Sequence, residues 1–492
     1  MLGIFRNMFG SPKKPVPQDL ADKAPETYLF RSDPDAASPN PAPDEDDSAN
    51  DSANAFFCRE AILGRDQRII GYEFSRPQQM NAHLISRRAK VRQYYDKALL
   101  DQLIEMQLES IIGQRLAFLE ISPLSLGYPA LTSLPKDNVA LTLAFPENTE
   151  LAAETVQSAV QNAQALRAYG LQIGFKWQRP WLPNAASVAI LQQIDFVHIV
   201  WTEYAGHSAI LPDMYRIARQ INATESLQRP RLLRLIASHL NTPDNFRECY
   251  RLGFDFFCGS FINHKQEKKT AKNAANRLRI IQLLNNLRRD AHTFALEQEL
   301  KQDPTLSYHL LRYANSPALG VRYEVTSIAQ AITLLGRNYL YRWLSFLLLH
   351  VADPGYREWV LTEQALARAA LMERLGKIKG DSAISPDSLF LTGLFSLLDQ
   401  IMGYSLEELI AKIQIQDEIR VALVRREGIL AQYLALAEAC ESTISENIEY
   451  RSRLLGFSAS QVNLAVFNAL AWAHEMSNIT EANDAKGAND LP

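Results

Sequence analysis

The segment LQIGFKW, residues 171–177, reads as a buried strand that ends in Lys176 and Trp177. In an α/β barrel the C-terminal ends of strands carry the reactive side chains. Hydrolysis assisted by divalent metal ions needs several carboxylates at such ends, because hard cations are held by oxygens drawn from several strands. Here the acids are sparse: Glu73 follows IIGY and Glu120 stands inside AFLEIS. The nine histidines form no HExxH, HxH or Cys/His ligand spacing, and the dipeptide His-Asp is absent. No GxSxG, GxxxxGKS, GxxxxGKT or GxGxxG occurs. His198, in the middle of a strand candidate, reads as a hydrogen-bonded histidine of a barrel interior rather than a metal ligand.

Seven short runs have the apolar, β-branched and aromatic content of strands buried on both faces: 68–74, 115–122, 139–145, 171–175, 195–200, 231–237 and 254–259. Helical stretches separate them. Leu99, Leu103, Met106 and Ile111 track a helical period over 95–112, and a second helix runs from about 150 to 168 with Gly170 placed to stop it. Strands alternating with helices predict a parallel βα barrel or a doubly wound sheet. From about 269 to 477 strand patterns vanish and helical stripes take over, the first through Leu278, Ile281, Leu284 and Leu287. Asp303-Pro304 is a helix start, with Asp capping free N–H groups and Pro in the first turn. Leu306, Leu310 and Tyr313 then share one face.

The chain has 492 residues, is 47% hydrophobic and carries a net charge of −4, which leaves room for two sizeable cores and argues against a general nucleic-acid surface. The cysteines Cys58, Cys249, Cys258 and Cys440 lie far apart and form no CxxC pair, as expected of reduced thiols in the cytoplasm. WLSFLLLHVA, 343–352, is too short to cross a bilayer, which takes about 20 apolar residues. The start MLGIFRNMFGSPKK lacks the continuous apolar region of a signal peptide. Residues 11–54, rich in Pro, Asp, Ser and Asn, cannot bury enough apolar surface to offset chain entropy.

REAILGRDQRIIGYEFSR and LIASHLNTPDNFRECYRLGFDFFCGSF resemble the opening and closing segments of the EAL domain, the βα barrel of cyclic di-GMP phosphodiesterases. The family's Glu-Ala-Leu triplet reads Glu73-Phe74-Ser75, with Arg76 following. The resemblance implies a metal-binding Asn where Glu120 stands, a Glu where Thr142 stands, and paired Asp residues where Lys176 and Trp177 stand. It implies a catalytic Lys and a nearby Asp at His198 and Val200, Glu at Ser238 and Asn241, and Gln at Cys258, although Gly259 is kept. Of the implied metal and base set only Glu73 is unchanged, so the expectation is a degenerate barrel with no metal, no cofactor and no catalysis. Lys176 is left to pair with Glu73 or Glu120, to take the place of a metal's charge, or to meet a nucleotide phosphate.

KQDPTLSYHLLRYANSPALGVRYEVTSIAQAITLLGRNYLYRWL, 301–344, resembles the HDOD domain, a relative of the HD phosphohydrolases without their metal residues. Its recognisable elements are Asp303-Pro304, Asn315-Ser316 and Leu335-Gly336. Asn315 is expected to end its helix in left-handed geometry and bond local backbone, and Gly336 to allow either a close helix approach or a bend. In LFLTGLFSLLDQIMG, 389–403, Ser396 and Leu397 take the positions where HD enzymes carry His-Asp.

The expected architecture is α/β plus all-α: a disordered tail over 1–54, a TIM-like EAL barrel over 55–265, a helical HDOD domain over 270–477 and a disordered tail over 478–492. The resemblance implies a cytoplasmic bacterial signalling protein acting through protein contacts in cyclic di-GMP-linked control of motility, biofilm or similar output. Its implied partners are a histidine kinase, a diguanylate cyclase or a phosphodiesterase. A barrel that binds cyclic di-GMP without cleaving it is the second reading, and a residual phosphodiesterase the third.

Overall fold

The computed structural model describes residues 56–75, 89–106, 108–113, 115–144, 153–177, 189–190, 193–201, 233–263, 274–315, 324–349, 356–441 and 448–487. The expected tail over 1–54 and Ser316 lie outside the described residues.

Eight strands close into a barrel in sequence order: β1 Cys58–Gly64, β2 Ile69–Ser75, β3 Leu116–Ile121, β4 Val139–Leu143, β5 Gln172–Trp177, β6 Phe196–Val200, β7 Arg234–Ser238 and β8 Phe256–Cys258. This removes the doubly wound alternative. β2 through β8 pair in parallel, but β1 is antiparallel to both β2 and β8. The strand pattern did not single out β1, and the reason is local. A tight turn, with Gly64 N–H on Arg68 O at 2.9 Å and Gln67 N–H on Gly64 O at 2.9 Å, folds CREAILG straight back on IIGYEFS. Two strands joined this way must run antiparallel, because a parallel pair needs a long crossover.

Helices α1 Ala89–Glu105, α2 Leu108–Ile112, α3 Ala153–Tyr169 and α4 Pro243–Arg251 follow strands of the barrel. The single helix expected over 95–112 is thus two pieces. Gly170 does end α3: its φ is +120°, and its N–H bonds Leu166 O at 3.1 Å. The barrel interior is packed by Ile62, Phe118, Ala140, Phe196, Ile236 and Cys258, one from each of six strands.

The rest is helical: α5 Ala274–Arg288, α6 Thr293–Lys301, α7 Pro304–Ala314, α8 Ile328–Leu349, α9 Tyr356–Lys379, α10 Pro386–Phe395, α11 Leu398–Met402, α12 Leu406–Lys412, α13 Asp417–Val424, α14 Ile429–Cys440, α15 Ile448–Leu455 and α16 Ala459–Gly487. α16 therefore runs on through residues that the sequence reading gives to a frayed tail. Leu278, placed in the first helical stripe, is 53% exposed, whereas Ile281, Leu284 and Leu287 are buried. No single helix among the described residues is long and apolar enough to cross a membrane.

Backbone contacts divide the chain into two compact units. One contains Gln282–Leu344. Here Asp303 caps α7, accepting from the N–H groups of Thr305 and Leu306 at 3.0 Å each. Asn315 has φ −91° and ψ 3°, not the left-handed geometry expected of it. Its side chain explains why: it donates to Leu311 O and Val325 O and accepts from Val325 N–H, tying the incoming strand of chain to the helix end. Gly336 breaks α8 with φ 71° and ψ 171°, and a Cβ there would meet nothing within 4 Å. Of its two expected roles, the bend is the one observed.

The other unit joins the barrel to the helices from Ser345 onward. Tyr72 Oη donates to Glu363 Oε1 on α9 at 2.5 Å, and Arg115 binds the same carboxylate through both terminal nitrogens, one at 2.9 Å. Phe74 lies 5.4 Å from Phe467 of α16, ring centre to ring centre, and Phe57 N–H donates to Asn463 Oδ1 at 3.2 Å. Arg357 Nε donates to Ile262 O at 2.9 Å.

Candidate site at the barrel mouth

Side chains alternate in and out along a strand, so a residue two positions from the interior cluster also faces inward. Counting toward the open end of the parallel strands from Phe118, Ala140, Phe196 and Ile236 reaches Glu120, Thr142, His198 and Ser238. β1 runs the other way, so its mouth end is its beginning, and counting back from Ile62 reaches Glu60, directly opposite Glu73. Lys176 and Cys258 complete the layer from β5 and β8. The expected site residues Glu73, Glu120, Thr142, Lys176, His198, Ser238 and Cys258 are therefore brought to one level. Asn241 sits beyond β7, where Ser260 Oγ donates to its Oδ1 at 3.3 Å. Trp177 is the exception. It falls on the outer face of β5, shares that face with Phe175 at 6.2 Å between ring centres, and is 1% exposed beneath the surrounding structure.

Glu60 is the residue the sequence reading missed. The C-terminal end of a strand lies at the mouth only for strands running with the barrel direction, and β1 runs against it. The available signal was the alternation Glu60, Ile62 within CREAILG.

Charge in this layer is unevenly settled. Lys176 Nζ meets Glu120 Oε2 at 2.5 Å, which decides between the two pairing partners expected of it. Burial pushes the Glu60 carboxyl up to about 7, with the neighbouring Glu73 adding to the rise. Burial likewise raises Glu73, against the pull of Lys176 and with a push from Glu120. Cys258 Sγ lies 3.9 Å from Glu73 Oε2, and burial raises its thiol well above the ordinary range. Burial, then Lys176, lowers His198 to about 3, so the ring is neutral. His198 is 2% exposed and neither ring nitrogen hydrogen-bonds to any described residue, against the expectation of a satisfied interior histidine. Its Nδ1 stands 3.9 Å from Glu73 Oε1, beyond hydrogen-bond reach. Thr142 Oγ1 is also buried without a partner among the described residues.

On the rim, His239 takes φ 56° and its Nδ1 lies 3.2 Å from Ser238 Oγ. Gly259 is kept for space: a Cβ there would stand 2.4 Å from Leu240 N and O. A cavity of about 140 Å³ opens here, with Arg59, Glu60, His239, Asn241 and Ser260 among its walls and Gln364 of α9 on its far side.

The pair of hard cations implied by the resemblance does not fit this layer. Such ions need several unencumbered oxygens. Thr142, Lys176 and Ser238 stand where carboxylate ligands are implied, and the Lys176 ammonium already engages Glu120.

The HDOD motif residues Asp303, Pro304, Asn315 and Gly336 belong to the Gln282–Leu344 unit, where they cap, tie and bend helices. Ser396, at one of the positions where HD enzymes carry His-Asp, is buried; it donates to Gly393 O at 2.7 Å and accepts from Arg368 at 3.1 Å.

Residues 274–419 match the HDOD domain. The chain is also 26% identical over 248 residues to the cyclic di-GMP phosphodiesterase CdgJ of Vibrio cholerae serotype O1, a match covering 50% of this chain and 57% of that one. It is 26% identical over 244 residues to the uncharacterized protein YuxH of Bacillus subtilis, covering 49% and 59%. The chain thus spans less than two thirds of the length of either relative. Among solved structures it is similar to the EAL domain of Xanthomonas citri FimX in complex with c-di-GMP, with TM-score 0.29 and 15% identity over 44% of this chain and 90% of that one. It is also similar to Bacillus subtilis YkuI, an EAL-domain protein in complex with c-di-GMP and calcium, with TM-score 0.34 and 12% identity over 59% and 74%. The helical region carries an HDOD domain, and the chain has cyclic di-GMP-related kinship.

That kinship corrects one expectation. A barrel without catalysis was expected from aligned strand ends, yet a relative that aligns with half of the chain is named a phosphodiesterase. The physical weakness of the expectation is that it counted Glu73 as an isolated acid, whereas Glu60 stands opposite it.

Proposed function

We propose that the protein is a cytoplasmic regulator in cyclic di-GMP-linked signalling, that its barrel mouth meets the nucleotide, and that the helices packed on the barrel pass mouth occupancy on to protein partners. One observation carries this reading. β2 turns Glu73 into the mouth while the residues on either side, Tyr72 and Phe74, turn outward onto Glu363 of α9 and Phe467 of α16. A shift of one strand at the mouth is therefore transmitted within a single residue to two helices. Kinship to a cyclic di-GMP phosphodiesterase supports the choice of nucleotide. Lys176, His239 and Asn241 around the mouth supply cationic and hydrogen-bonding groups suited to phosphodiester oxygens. Motility or biofilm control is the output this reading favours, with a kinase, a diguanylate cyclase or a phosphodiesterase as partner.

The test is calorimetric titration of the purified chain with cyclic di-GMP, followed by analysis of the same mixture, with magnesium or manganese, for the linear dinucleotide. Saturable heat at micromolar concentration, weakened in Lys176→Glu, is expected. Absence of heat up to millimolar nucleotide overturns the nucleotide reading. Product analysis decides whether the bound nucleotide is also cleaved.

A further inference from the structure

The layer that does not fit two hard cations contains a different donor set. Glu60, Glu73 and Cys258 each offer an atom, and the atoms all lie within 4.8 Å of one another. They come from β8, β1 and β2, three successive strands of a closed barrel, so the backbone that carries them is rigid. Two carboxylates and a thiol are the ligand types of a borderline-soft ion: thiolate selects zinc-like metals, whereas magnesium and calcium take oxygen alone. The set differs from the implied pair in kind, since Glu60 lies outside the implied positions and Cys258 puts sulfur where a Gln is implied.

His198 supplies the independent observation. It is 2% exposed, both of its ring nitrogens lack a hydrogen-bond partner among the described residues, and its Nδ1 faces Glu73 Oε1 at 3.9 Å. Leaving a buried polar group unsatisfied is costly, so such groups ordinarily have a partner. Donors that share one tetrahedral ion at about 2.0–2.3 Å stand roughly 3.3–3.8 Å apart. The Cys258 Sγ to Glu73 Oε2 separation is 3.9 Å, close to that spacing, and His198 Nδ1 faces the other oxygen of the same carboxylate, Oε1.

We propose that Glu60, Glu73 and Cys258 bind one zinc-class divalent cation in the barrel mouth, with the buried His198 beside the second oxygen of Glu73. Binding displaces the Cys258 thiol proton and any proton held between the two carboxylates to solvent, with no change of oxidation state. The site stands independently of nucleotide recognition.

The test uses the full chain, stripped with chelator and then titrated with Zn²⁺ or Co²⁺ in the absence of nucleotide. One retained zinc per chain is expected, and cobalt is expected to give a thiolate-to-metal charge-transfer band in the near ultraviolet. Cys258→Ser should abolish the band, and Glu60→Gln should lower zinc affinity by more than about tenfold, with far-ultraviolet dichroism unchanged. No retained metal in the wild type overturns the proposal, as does a cobalt band that survives in Cys258→Ser. If Cys258→Ser does not fold, Glu60→Gln decides alone: unchanged zinc affinity in that variant overturns the site.

Discussion

Glu363 shows how much one side chain can hold. It accepts from Tyr72 and receives Arg115 at both oxygens, and its side chain is 7% exposed. Burial alone would raise its carboxyl, but Arg115 and the hydrogen bonds from Arg115 and Tyr72 hold it below the ordinary value. A carboxyl depressed on folding adds stability that is complete above its unfolded value, about 4.3, and is lost as pH falls through the folded value. Denaturant melts should therefore show wild-type stability falling as pH drops below about 5. Glu363→Gln should lose about 3 kcal/mol at neutral pH, since it takes the opposing charge from the Arg115 ion pair, and should lack that part of the acid dependence. An acid limb of equal steepness in the variant would place the sensitivity elsewhere. At this scale the sequence was a partial guide. The Lys176 pairing with an acid was readable, because a cation at a strand end among sparse acids has few partners. Glu363 was not, because its partners lie 248 and 291 residues away in the chain, and no local pattern encodes such contacts.

Among elements, α7 and α8 separate what local chemistry dictates from what tertiary structure decides. Asp303-Pro304 announces a helix start in any context, and the cap is formed. Asp303→Ala should destabilise the chain by about 1 kcal/mol, read as a shift of the urea midpoint at constant slope. Gly336 carries a different lesson. The surrounding space is open, so the methyl of Gly336→Ala meets nothing, yet φ 71° with ψ 171° is backbone that essentially only glycine adopts. The expected cost is about 1–3 kcal/mol from strain alone, and it should not be relieved by trimming neighbouring side chains. Equal stability of wild type and Gly336→Ala would show that α8 can straighten there. The sequence announced that Gly336 is special but left open whether it served approach or bend, because both uses demand the same residue. Asn315 was misjudged for a related reason. Asparagine is tolerated in left-handed geometry, but its amide can equally bridge two segments, and Val325, ten residues on, is the partner that local reading does not see.

For the whole molecule, composition separates a strand-rich half from a helical half, and the sequence reading places a domain boundary between them near 265–270. Packing draws a different line. The outward residues of β1 and β2 are covered by α9 and α16, not by solvent: Phe74 is 1% exposed against Phe467, and Phe57 is 4% exposed and bonded to Asn463. Removing those helices would expose Phe57, Tyr72 and Phe74 together, at roughly 1.5–3 kcal/mol for each large apolar side chain. Domains are typically stable by only about 5–15 kcal/mol, so a barrel cut loose forfeits much of its margin. Residues 56–265 expressed alone should therefore be insoluble or should bind a hydrophobic dye, whereas the full chain should unfold the barrel and the helices after Ser345 in one transition. Phe467→Ala in the full chain should cost about 3–5 kcal/mol and lower that shared transition, not a helical one alone. A soluble 56–265 fragment with a sharp melt of its own would restore the boundary that composition suggests. It would also cut the route by which Glu73 in the mouth, flanked in sequence by Tyr72 and Phe74, reaches the helices.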